Sequence, residues 1–331
     1  MMALTKSNET QMTSVEYFSD STIAEFIASR HCSENTSKTY RNSIRQLLKF
    51  FVAKKVTEPK TADVDNFING LRAAKKSDST IRLYATTTKL FFAFLAKRGI
   101  YSDVAADCEP LRLRKVITHK KQALTNAQAR ALLESVKGDS LVARRDRCIV
   151  ALALCAGVRC CEISRLNVGN LRDDGCGGYF AAVIGKGHVT ADATVRVAPA
   201  VRELIDSYLA CRGDVTADAP LFISTSRNIG WQKNRYGSRL SEQSVGKMIK
   251  RMMIAVGIRS KDKKKDNPCI TPHSTRHYTI TQALRNKIDI RDVSQMARHS
   301  SLSITMIYAH DISLETRRAE LSVADSLFGA A

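Results

Sequence analysis

Residues 179–199, YFAAVIGKGHVTADATVRVAP, are where the apolar period of this chain changes. Two short runs rich in aromatic and β-branched residues flank a Gly-Lys-Gly turn, which reads as a hairpin of two strands. On either side the spacing is helical. Upstream, Thr125 is an N-cap before NAQARALLESV, and a second helix runs from about Asp146 to Ala156. Downstream, helical spacing returns at Ala200–Cys211, Ser241–Val256, Ser274–Asn286, Ile290–Ala297 and Ser303–His310, interrupted by a charged loop, RSKDKKKDN, at 259–267. A short amphipathic helix is expected at 315–328, with Leu321, Val323, Leu327 and Phe328 as its apolar points.

The N-terminal part is helical throughout. Tyr40, Ile44, Leu47, Leu48 and Phe51 recur at helix spacing with basic residues between them. Asp63 is positioned to cap a short helix through Leu71, and Ser79 to cap another with Ile81, Tyr84, Thr88, Phe91, Phe94 and Leu95 inside. This predicts an all-helical domain of four or five helices over residues 20–106, after a flexible polar tail at 1–19. Residues 107–123, DCEPLRLRKVITHKKQA, break the periodicity and carry Arg114, Lys115, Lys120 and Lys121. They read as a basic linker to a second domain at 124–331, lying on something anionic. The expected fold is therefore mainly α with one small antiparallel β-sheet, in two domains.

Composition narrows the function. The 331 residues hold 52 Lys and Arg against 32 Asp and Glu, a net charge of +20, which calls for a polyanionic partner. The longest apolar run, Cys148 to Val158, is 11 residues, whereas a bilayer span needs about 20. A basic membrane-surface protein would need an amphipathic helix bearing Trp or Phe, and the single Trp231 lies in a loop-like stretch. No membrane partner is expected. The N-terminus lacks the charged-then-apolar plan of a leader, so a cytoplasmic, nucleoid-associated location is expected. Nine cysteines without a Cys-x-x-Cys pair fit reduced thiols better than disulfides or a zinc site. No carboxylate cluster has metal-ligand spacing, so neither metal nor cofactor is expected.

Five pieces of the second domain each offer a group suited to a phosphodiester: Arg159 with Glu162 in AGVRCCEISRL, Lys186 between Gly185 and Gly187, His273-Ser-Thr-Arg276-His277, Arg298-His299, and Tyr308 nine residues later. A planar guanidinium gives paired hydrogen bonds to non-bridging oxygens and stays charged. A phenol has a pKa near 10, so only about 0.1% is phenolate at pH 7, and it needs a base or nearby cations to attack phosphorus. Read one by one, Arg159 could simply pair with Glu162 one turn away, Tyr308 could be a core residue, and Lys186 a solvated turn lysine.

The ordered set resembles the tyrosine recombinase (phage integrase) family, over about residues 20 to 331. The resemblance implies a helical core-binding (SAM-like) domain and a mixed catalytic domain that form a C-shaped clamp on DNA. It implies a nucleophile in Tyr308, two phosphate-binding arginines in Arg159 and Arg276, and imidazoles at the phosphate in His273, a candidate base, and His299. Lys186 would be the general acid for the departing 5′ oxygen, with Glu162 and His277 as supports. The implied activity is site-specific recombination through a 3′-phosphotyrosyl intermediate, for integration and excision or resolution of DNA elements. Covalent storage of the phosphodiester energy removes the need for ATP, and the arginines hold the charge that Mg²⁺ would otherwise hold. The implied partners are a double-stranded DNA site and a homo-tetramer on two sites, with a second recombinase or accessory protein in some systems.

Two departures from the family stand out. Arg298 occupies the position before the second histidine, where the family usually has Gly, which either alters the turn or adds a phosphate contact. Cys160 and Cys161 flank Arg159, as inert buried thiols or as an oxidisable pair. For base readout, the helices with Arg82 and Lys89 and with Lys247, Lys250 and Arg251 are candidates. A type IB topoisomerase and a catalytically inactive DNA-binding protein remain open alternatives.

Overall fold

The computed structural model describes residues 18–107, 122–185, 188–226, 236–262, 264–267 and 269–316. The chain divides into two compact units, Met1–Val116 and Ile117–Ala331.

The first unit contains α1 (Asp20–Ser29), α2 (Glu34–Ala53), α3 (Thr61–Ala73) and α4 (Asp78–Lys97). Ser19, Ser33 and Ser77 cap three of them, accepting the N–H of Thr22, Thr36 and Thr80. Two expected caps move. α3 starts on Lys60, whose N–H donates to the Asp63 carboxylate at 2.9 Å, so Asp63 sits inside the first turn. In the polar run Ser77-Asp78-Ser79-Thr80, Ser77 is the cap and the Ser79 hydroxyl lies 3.1 Å from its oxygen. The core is built on phenylalanines: Phe18, Phe26, Phe51, Phe67, Phe91 and Phe92, packed with Ile44, Leu47 and Leu95. Phe26 and Phe91 meet edge to face at 5.3 Å. Phe18, assigned to the tail by its polar surroundings in sequence, is buried among Phe51, Phe91 and Phe92. The unit is thus ordered from at least Phe18, with Ser19 already capping.

The second unit begins at or before Gln122, whose N–H donates to the Cys269 carbonyl at 3.1 Å. Its helices are α5 (Asn126–Glu134), α6 (Leu141–Cys155), α7 (Cys160–Arg165), α8 (Pro199–Ala210), α9 (Glu242–Ala255), α10 (Ser274–Arg285), α11 (Ile290–Ala297) and α12 (Leu302–Thr316). Thr125 caps α5, as its sequence context implies. α6 starts at Leu141, a turn and more before the expected Asp146, because Ser140 caps it. Its first turns hide their helical period behind Arg144, Arg145, Asp146 and Arg147. Arg145 and Asp146 are nonetheless buried, joined at 2.6 Å, with Arg145 also donating to the Ile223 carbonyl at 2.8 Å. Beyond them, Cys148–Leu154 is buried on every face, which is why the stretch reads as one unbroken apolar run.

The predicted hairpin is present as β2 (Tyr179–Val183) and β3 (Ala193–Val197), antiparallel with Ala181 opposite Val195. Ala181, Val183, Val195 and Val197 point into the core. A three-residue strand, β1 (Leu171–Asp173), completes the order β1-β2-β3. Sequence spacing does not predict it, since three residues carry no readable alternation. α12 runs to Thr316, past the expected end at His310 and into the segment expected as a separate helix at 315–328. Residues 317–328 lie outside the described residues.

Candidate active site

The site grows from the end of α6. The chain turns at Gly157, which has φ +59, and a Cβ there would press on the Thr279 side chain at 3.4 Å. Thr279 in turn donates to the Leu154 carbonyl at 2.8 Å, so α10 is tied directly to the end of α6. Two residues after the turn, Arg159 is the N-cap of α7, and its backbone N–H donates to Glu162 Oε2 at 2.8 Å. The same carboxylate accepts from Arg159 Nη1, on Oε1, at 2.6 Å. Glu162 is fully buried.

Arg276, on the first turn of α10, lies against the same turn. Its Nη1 donates to the Gly157 carbonyl at 2.8 Å. The residue is only 2% exposed, and its Nη2 is buried with no hydrogen-bond partner among the described residues. Burial, and then the charges of Arg159 and Arg298, push its guanidinium down to about 9.

Arg298 ends α11 in the left-handed conformation, φ 52 and ψ 47. The turn that glycine would serve is therefore kept. Its Nη2 donates to Glu162 Oε2 at 2.7 Å, its Nη1 to the Met296 carbonyl at 2.9 Å, and its own carbonyl accepts from Arg159 Nη2 at 3.4 Å. Burial alone would raise the Glu162 carboxyl, but Arg298 and Arg159 outweigh it and hold the group below its ordinary value. Two guanidiniums thus share one carboxylate with a third, that of Arg276, beside them, which leaves local positive charge for an anion to satisfy.

Beside them stands a row of rings. His273 and His277 lie 5.0 Å apart centroid to centroid, His277 and Tyr308 5.0 Å, and Tyr308 stacks near-parallel on His299 at 6.1 Å. His299 Nδ1 is 2.8 Å from Thr305 Oγ1, which fixes the ring on α12. Tyr308 is 5% exposed and packs with Ile280, Val293 and Ala297. His277 stands at the centre of this row, in contact with both His273 and Tyr308.

Of the sequence-identified residues, Arg159, Glu162, His273, Arg276, His277, His299 and Tyr308 fall into this one neighbourhood. Lys186 lies outside the described residues; its neighbour Gly185 is tied to the end of α7, its carbonyl accepting from Arg165 at 2.7 Å, and its N–H donates to Asp192 at 2.5 Å. Arg114, Lys115, Lys120 and Lys121 also lie outside them. Lys247, Lys250 and Arg251 are exposed and line a surface hollow with Ile254, Ala255 and Lys261. In the first unit Lys89 is exposed and donates to the Ala106 carbonyl at 2.9 Å, and Arg82 is half-buried. Sequence leaves the Gly157 carbonyl unassigned, and offers Arg298 only as a changed turn or an added phosphate contact, not as a partner of Glu162. The available signals were a glycine closing an apolar run and an arginine in a glycine's place. Burial pushes Cys160 up to about 11 and Cys161 upward as well, so both stay protonated and unreactive. Among the described residues no group of three His, Cys, Asp or Glu could hold a metal ion. None of their helices is long and apolar enough to cross a membrane.

Residues 122–314 match the phage integrase family, and residues 21–102 match the N-terminal SAM-like domain of phage integrases. The chain belongs to the phage integrase family. It is 26% identical over 312 residues to the tyrosine recombinase XerC of Thermodesulfovibrio yellowstonii, covering 90% of this chain and 93% of that one. It is 29% identical over 271 residues to the tyrosine recombinase XerA of Pyrococcus furiosus, covering 81% and 83%. Among solved structures it shares its fold with a XerH site-specific recombinase bound to a palindromic difH substrate, at a TM-score of 0.66 and 19% identity over 91% of this chain and 84% of that one. A lambda integrase tetramer bound to a Holliday junction gives a TM-score of 0.64 at 16% identity, over 91% and 78%.

Proposed function

We propose that this protein is a site-specific DNA recombinase that cuts and rejoins strands through a phosphotyrosine. The observation that carries the reading is the buried guanidinium of Arg276, one nitrogen unpartnered, beside Arg159 and within the same cluster as Tyr308. Such a site is short of negative charge, and a scissile phosphate supplies it. Arg159 and Arg276 bind the non-bridging oxygens and stabilise the charge that develops on them, each worth about 2.7–4 kcal/mol in the transition state.

Tyr308 Oη attacks phosphorus as its proton passes to His273, and His299 donates to the phosphate. The bond to the 5′ oxygen breaks, and Lys186 protonates the departing oxygen. The product is a 3′-phosphotyrosyl ester and a free 5′ hydroxyl. In the second step a 5′ hydroxyl of a partner duplex attacks that ester and Tyr308 leaves, regaining its proton. Glu162 and His277 hold the arginine and the ring row in place.

The DNA surface includes Lys247, Lys250, Arg251 and Lys261 on the second unit, Arg82 and Lys89 on the first, and Arg114, Lys115, Lys120 and Lys121 between them. Both units contact the duplex, and four protomers assemble on two sites. XerC, XerA and lambda integrase relatives support this reading. The test begins by selecting the site from a nicked duplex library with a randomised core, retaining molecules that become covalently attached. Two selected duplexes of unequal length are then mixed with the full chain. Recombinant lengths are expected. Relaxation of a supercoiled plasmid carrying the site, with no recombinant product, would overturn the proposal in favour of a topoisomerase.

A further inference from the structure

Arg298 is the cation of this cluster to which the proposed chemistry assigns no role, and both of its terminal nitrogens are engaged by protein atoms. Nη1 is spent on the Met296 carbonyl, and Nη2 on Glu162 Oε2 at 2.7 Å with the Gly157 carbonyl further off at 3.4 Å. Its side chain is 10% exposed, and its Nε is buried with no hydrogen-bond partner among the described residues. Both Nη groups, the ends that would fork onto a phosphate, are committed to protein atoms, so a direct phosphate contact is not what the side chain provides. The backbone demands glycine more than arginine: at φ 52 a side chain carries the left-handed cost that glycine avoids. Something other than the turn therefore accounts for an arginine here.

We infer that Arg298 is a positioning residue that keeps Arg159 available to the phosphate by occupying half of Glu162. Glu162 has two oxygens. Oε1 takes Arg159 Nη1 at 2.6 Å, while Oε2 takes Arg298 Nη2 and the Arg159 backbone N–H. Arg159 is thereby held through one Nη only, and its other Nη makes just a long 3.4 Å contact, to the Arg298 carbonyl. Without the Arg298 side chain, Oε2 keeps only the Arg159 backbone N–H and can turn its open lone pair onto the Arg159 guanidinium to close a two-pronged carboxylate–guanidinium pair. That pair consumes the donors a phosphate needs. The left-handed turn and the side chain act together: the first aims the carbonyl at Arg159 and the second restrains its carboxylate.

The inference rests on Arg159 serving the scissile phosphate, and the experiment separates the two. Single-turnover cleavage is measured at saturating DNA on the selected nicked duplex, with either the ordinary scissile phosphate or a methylphosphonate. The methylphosphonate lacks one charged oxygen, so it asks less of an arginine. Arg298→Gly fits the turn better than the native residue, Arg298→Met keeps the bulk, and Arg298→Lys keeps the charge with a single point donor. Both uncharged variants are expected to cleave the phosphate about 10–100-fold more slowly, a fraction of a full oxyanion donor, and the methylphosphonate within about 3-fold of the native chain. Arg298→Lys is expected to fall between. Native-rate phosphate cleavage by Arg298→Gly would show that only the turn matters and overturn the inference. Equal losses on both substrates would do the same, by assigning Arg298 a role in general integrity. Arg159→Ala is the control for the proposed function. If it too loses equally on both substrates, the role of Arg159 falls; if only the Arg298 variants do, the inference alone falls.

Discussion

Replacing Arg276 by methionine should make the free protein more stable and nearly inactive. The guanidinium is pushed down to about 9, far below its ordinary value, and it is almost wholly buried. A tenfold change in acidity corresponds to about 1.36 kcal/mol, so keeping this charge costs the folded protein up to about 5 kcal/mol at pH 7. Methionine also removes a charge-assisted hydrogen bond to the Gly157 carbonyl, worth about 1.5–3 kcal/mol. That carbonyl keeps a longer contact with Arg298 at 3.4 Å. The net expectation is a gain of about 2 kcal/mol, which for a unit of this size is a rise in Tm of about 4–8 °C. Differential scanning calorimetry without DNA reads it directly. The pH dependence has a definite sign. Above pH 9 the folded protein releases this proton while the unfolded chain still binds it, so native stability rises relative to the variant. The gap is full below about pH 9 and closes as the pH rises above it. Cleavage by the variant should fall about 10²–10³-fold, as for loss of one oxyanion donor. A drop in Tm would refute the reasoning, because Arg276 would then be a satisfied structural residue rather than a charge held ready for an anion.

Other perturbations bear on the same account. Glu162→Gln breaks a buried ion pair and should cost about 3–5 kcal/mol in urea unfolding. Because the folded carboxyl is held below its ordinary value, its contribution is present above the unfolded pKa and is lost as pH falls through the folded one. The native–variant difference should therefore shrink only in acid. Gly157→Ala places a side chain at φ +59 against Thr279 and should destabilise by about 1–2 kcal/mol, with a loss of cleavage as the carbonyl under Arg276 shifts. Neutralising Lys247, Lys250 and Arg251 together should flatten the dependence of log affinity on log salt by about 0.9 for each phosphate that is no longer neutralised, as measured by fluorescence anisotropy, and spare the Tm.

Much of this molecule is legible before any coordinates. Long helices with regular apolar spacing, such as α4 and α9, and the Thr125 cap are set by local chemistry that a short window contains. The hairpin is visible because Gly185 and Gly187 separate two runs of alternating residues. The short pieces are not visible, because their order is decided by tertiary partners. β1 exists because Leu171–Asp173 meets Tyr179–Ala181, and the polar first turns of α6 are helical because Ser140 caps them and a buried ion pair lets Arg145 and Asp146 enter the core. The site divides the same way. Arg159, Arg276 and Tyr308 stand out by spacing within an ordered set. Arg298 shows only as a departure from the family's glycine, because its meaning depends on Glu162, which is 136 positions away in sequence and 2.7 Å away in space.

The central claim is that Tyr308 becomes covalently joined to DNA. The measurement is mass spectrometry of the peptide left on a nicked duplex after the trapped complex is digested with protease and nuclease. The account predicts a nucleotide on Tyr308 and no adduct with Tyr308→Phe. An adduct that persists in Tyr308→Phe, or one mapped to any other residue, would contradict it.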